Sequence, residues 1–122
     1  SIKNMNIIEI SVSLMTRKTK VVNNEADYIV KCTAKANMQE YSSITGVKVN
    51  NDLAVQGIVE LYNDLVKNTM DITYDSVGVW VKYDDGTVLD KAMSIQVIDD
   101  IRAYSYEKID PIEELAKMAL MV

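Results

Sequence analysis

The tetrapeptide Asp84-Asp85-Gly86-Thr87, set between two runs of strand-forming residues, restricts this chain more than any other feature. Ahead of it, Val77, Val79, Val81 and Tyr83 alternate with Gly78, Trp80 and Lys82, the period-two pattern of a strand with one buried face. Asp85-Gly86 tolerates the positive φ values that a tight hairpin needs, so Thr87 to Leu89 are expected to pair back against Val79 to Tyr83. The chain is therefore expected to build an antiparallel sheet.

Two further segments carry the same signal. Ile8, Ile10, Val12 and Leu14 fall on one face and Glu9, Ser11 and Ser13 on the other. The polar stretch Thr16 to Lys20 reads as a basic turn into a second strand at Val21-Val22, and Asn23 to Asp27 as another turn. From Tyr28 to Met38, Tyr28, Val30, Cys32, Ala34, Ala36 and Met38 share a face, and the small residues at its centre leave room for a closely packed partner. Three sequential antiparallel strands are expected. Residues 39–49 are less regular: Gly46 breaks the run, and Val47 and Val49 read as a short strand or an entry to the next element. Residues 91–106 fit strand or helix, with β-branched content favouring strands at 94–98 and 101–106 around Asp99-Asp100.

Helical periodicity appears twice. Leu53, Ala54, Ile58, Leu61, Tyr62, Leu65 and Val66 form a stripe over about residues 51–68, with Asn50, Asn51 or Asp52 as cap and Lys67 at the end that favours positive charge. Gly57 costs such a helix about 1 kcal/mol against alanine and reads as tolerated rather than required. Asp110-Pro111-Ile112-Glu113 then places a cap, a first-turn proline and an acidic residue before a stripe ending near residue 120. At 122 residues, without repeats or a linker, the expected fold is a single α+β domain spanning 1–122. Its antiparallel sheet, curved or sandwiched, is covered by a central helix (about 51–68) and a C-terminal helix (about 111–120).

Composition removes several kinds of chemistry. There is no histidine and one cysteine, Cys32, which excludes His-dependent triads, His-ligated metals and intrachain disulfides. No Gly-rich phosphate loop or nucleophile elbow is present, and the acidic doublets lack the spacing of a calcium loop. No catalytic residue, metal ligand or cofactor is assigned. No apolar run is long enough to span a membrane and the first residues carry no basic-then-apolar signal, so the expected compartment is the cytoplasm.

The net charge of −5 is uneven: residues 1–48 carry seven basic against four acidic side chains, residues 49–122 six against fourteen. That balance disfavours extended nucleic acid as a partner. It suits a non-enzymatic, oligomeric binding or interaction protein, including an inhibitor that acts through an acidic surface. Expected interface residues are Trp80, Leu120, Met121, Val122, Asp84 and Asp85, and the expected partners are a second copy or another protein. The alternative is capture of a small anionic, nucleotide-like ligand between subunits by Arg17, Lys18, Trp80, Arg102 and Tyr104. A carboxylate-dependent enzyme ranks below both.

Overall fold

Alternation in the sequence becomes strand in the structure wherever one face has a core to enter. The computed structural model describes residues 6–18, 27–95 and 111–121. Among them, β1 (Ile7–Arg17), β2 (Tyr28–Asn37), β3 (Ser76–Tyr83) and β4 (Val88–Ser94) form one antiparallel sheet in the order β2-β1-β3-β4. Three helices accompany it: α1 (Met38–Thr45), α2 (Asn51–Asn68) and α3 (Pro111–Ala119). The fold is α+β. No described helix is long and apolar enough to cross a membrane.

β1 is antiparallel to both β2 and β3, so those two run parallel to each other with β1 between them. The connection from β2 to β3 carries α1 and α2, and among the described residues the helices pack on one face. Ile10, Val12 and Leu14 of β1 and Val77, Val79 and Val81 of β3 enter a core with Ala54, Ile58 and Leu65 of α2 and Ile112, Leu115 and Ala119 of α3. Cys32, Ala34 and Ala36 of β2 pack against its margin, where their small side chains admit the helix.

The structure departs from sequence expectation at particular places. A register shift between Ile7 and Glu9 brings Ile7 into the core beside Ile10, while Ile8 is only half-buried. A second shift, at Leu14/Met15, turns Val30 outward, and it is exposed. Residues 38–45, which show no helical stripe, form α1. Asn37 caps it by accepting from the amides of Gln39 and Glu40 at 3.0 and 3.3 Å, and Gly46 ends it at φ 70°. Asn50 is the α2 cap, accepting from Leu53 N at 2.9 Å. Gly57 is a close-packing residue rather than a tolerated one: a Cβ there would stand 2.8 Å from Ile10 Cδ1.

The 83–87 hairpin has a three-residue loop. Gly86 N donates to Tyr83 O at 3.0 Å and Tyr83 N to Thr87 O at 2.9 Å, with Gly86 at φ 89°. β4 then continues through Lys91 to Ser94, which decides for strand in the first part of the ambiguous stretch. The expected strand at Val21-Val22, the expected strands within 96–106 and the expected cap Asp110 lie outside the described residues.

Two consequences are measurable. At Gly86 only the backbone conformation opposes a side chain, since nothing lies within 4 Å of a Cβ built there. Gly86→Ala is therefore expected to lower the urea unfolding free energy by about 1–2 kcal/mol. Tyr83 is buried at the hairpin, its hydroxyl lacks a hydrogen-bond partner among the described residues, and burial raises its pKa. Tyr83→Phe is expected to raise the unfolding midpoint, because it removes an unsatisfied polar group. Folding favours the neutral phenol, so the wild type should lose stability as pH rises from about 10 through the folded-state pKa, a loss the variant lacks.

Candidate functional site

A sheet covered on one side must present the opposite residues of every strand elsewhere. On the second face, strand pairing sets these residues in rows. Lys35, Ser11, Trp80 and Asp90 form one row, and Thr33, Ser13, Gly78 and Ala92 the next. Toward the hairpin, Asn37, Glu9, Lys82 and Val88 form a third.

The centre of this face is a shallow concavity of about 300 Å³, lined by Ser11, Ser13, Met15, Val30, Lys35, Gly78, Trp80 and Asp90. All are strand residues. Met15 lies across Gly78, where an added Cβ would stand 2.8 Å from its terminal methyl. The glycine leaves the space that the end of the Met15 side chain occupies. Ser13 and Thr33 share a cross-strand hydrogen bond of 2.8 Å, which leaves that row low and uncharged. Trp80 is half-buried between Ser11 and Asp90, with Lys35 on one rim and Asp90 on the other.

A larger groove of about 660 Å³ runs between the start of α2 and the end of α3. Its Glu113 and Lys117 already form an ion pair at 3.3 Å, and Asn50 already occupies an amide at the α2 N-terminus. Its lining also carries Asn51, Asp52 and Gln56 of α2. No group of three or more Cys, Asp or Glu side chains suited to a metal is gathered among the described residues. Cys32 is half-buried against the core.

The expected site residues are scattered. Arg17 lies at the far end of β1, six residues from Ser11, the partner of Trp80, and so about 20 Å along the strand. Lys18 pairs with Asp27 at 3.0 Å. Within one chain these cations and Trp80 do not share a pocket. Arg102, Tyr104 and the side chain of Val122 lie outside the described residues. Asp84 and Asp85 sit in the hairpin turn at the opposite end of the sheet, and Asp85 Oδ1 accepts from Thr87 N at 2.9 Å. Leu120, expected at an interface, is a core residue at 3% exposure, because the chain beyond α3 folds it inward. Its neighbour Met121 is 75% exposed.

Trp80 is thus the one expected residue at the centre of the face opposite the described helices. Of its surroundings, Ser11, Met15 and Gly78 are buried, Ser13 is half-buried and Asp90 is exposed, and the sequence marks them only by small residues at and opposite Gly78. No protein-family model, curated protein or solved structure matches the chain.

The end of β1 is held by Asp75. Arg17 N and Ser76 Oγ each donate to its Oδ1 at 2.8 Å, and the bond from the Arg17 amide, foremost, lowers its pKa. Asp75→Ala is expected to reduce stability at neutral pH. The difference from wild type should shrink as pH falls below about 4 through the lowered folded-state pKa, as followed by urea denaturation across the acid range.

Proposed function

We propose that this chain is a non-enzymatic interaction protein that binds a polypeptide through the face of its sheet opposite the described helices, with Trp80 as anchor. The carrying observation is the half-buried Trp80 on a face where a solvated antiparallel sheet ordinarily presents polar side chains. Beside it lie a low strip of Ser11, Ser13 and Gly78 and the reclining Met15. Tryptophan contributes a large contact area with two rotatable bonds, and it is prominent among residues that dominate binding energies. Small neighbours let a partner approach the strands closely. Lys35 and Asp90, on opposite rims, supply the charge pattern that fixes a partner's orientation.

The test compares immobilised wild-type protein with Trp80→Ala, using added chain and extract of the native host as sources of partner. Any polypeptide held through this face should bind the variant about thirty-fold more weakly or worse, while thermal melting of the two proteins stays similar. Equal retention by the two would overturn the reading.

A further inference from the structure

We infer that the polypeptide seated on this face is a second copy of the chain, packed sheet on sheet about a two-fold axis parallel to the strands. The inference rests on the proposed use of the Trp80 face and adds the identity and orientation of the partner. A rotation about such an axis lays the order β2-β1-β3-β4 over β4-β3-β1-β2 and keeps every row at its own level. In the row Lys35-Ser11-Trp80-Asp90, each Lys35 then meets Asp90 of the second copy, and each Trp80 meets the small Ser11. In the row toward the hairpin, each Glu9 meets Lys82 of the second copy. Between the rims of the next row, Ser13 faces Gly78 and the Met15 side chain that lies across it.

The other two-fold axis in the plane of the sheet runs across the strands. With the Trp80 row on that axis, Lys35 faces Lys35, Asp90 faces Asp90 and the indoles collide. Compared with that placement, the charge pattern favours the strand-parallel axis. Twist leaves facing sheets about 30° apart, which at the outer strands, about 7 Å from the axis, displaces opposed residues by about 4 Å. A lysine side chain spans that displacement. Lys35 and Asp90 are both exposed, and neither forms an ion pair with another described residue.

The face is about 19 Å wide across four strands and about 26 Å long over the eight residues of β3, roughly 500 Å² on each copy. Two such faces fall at the small end of specific interfaces, so the dimer is reversible and concentration-dependent rather than obligate.

Sedimentation equilibrium across the micromolar range tests this. The wild type should dimerise, and Lys35→Glu and Asp90→Lys should each weaken the dimer at least about tenfold, because each places two like-charge pairs in the interface. An equimolar mixture of the two variants should recover most of the affinity as a heterodimer, and the double variant K35E/D90K should recover it as a homodimer. Circular dichroism melts of these surface variants should match the wild type. A wild type that stays monomeric, single variants that dimerise normally, or a mixture that shows no heterodimer would each overturn the inference. If the wild type is monomeric but Trp80→Ala loses a different polypeptide, only the self-partner is wrong. If Trp80→Ala alters nothing bound, the proposed function fails as well.

Discussion

Pairing of β1 on both edges is the constraint on which the remaining structure depends. A strand hydrogen-bonded to β2 on one side and β3 on the other cannot change register without turning Ile10, Val12 and Leu14 out of the core. That fixes the inner face, and by the same alternation it fixes Ser11 and Ser13 on the outer one. The two register shifts sit near its ends, where the ladder is interrupted without disturbing the three core residues between them. β3 must then reach the free edge of β1 from beyond β2, and only a connection long enough to carry α1 and α2 over one face allows it. Placement of the described helices on one face is therefore a consequence of the same topology that builds the core.

Features set by neighbours in the chain were legible in the sequence. The hairpin at Asp84 to Thr87, the α2 stripe and the opening of α3 each depend on residues within a few positions of one another. α1 was not legible, because its only buried side chain is Met38, so no stripe marks it. Its ends are set by Asn37 and Gly46 instead. The role of Gly57 depends on Ile10, which is distant in sequence and meets α2 only after the sheet has formed.

The site was hidden for the same reason. Its members occupy the polar positions of four strands, and a polar position in a strand ordinarily signals nothing beyond exposure. Trp80 stood out by type, but Lys35 and Asp90 became related to it only through the registers of three strand pairs. The division of charge between the two halves of the sequence acquires a spatial meaning in that row. A lysine from the basic half and an aspartate from the acidic half are brought to opposite rims of one surface.

Those rims cannot satisfy each other. Lys35 on β2 and Asp90 on β4 are separated by three strand spacings, about 14 Å, beyond the reach of their side chains and beyond a Debye length of about 8 Å at physiological salt. Their attraction is realised only by something laid across the face that presents the opposite signs in the same order. A flexible anion could answer Lys35 but would be repelled by Asp90, and a cation the reverse. A rigid body carrying both signs at that spacing answers both at once, and the chain itself is such a body when turned over about its strands. The separation that prevents pairing within one copy thus makes the row complementary to its own reverse.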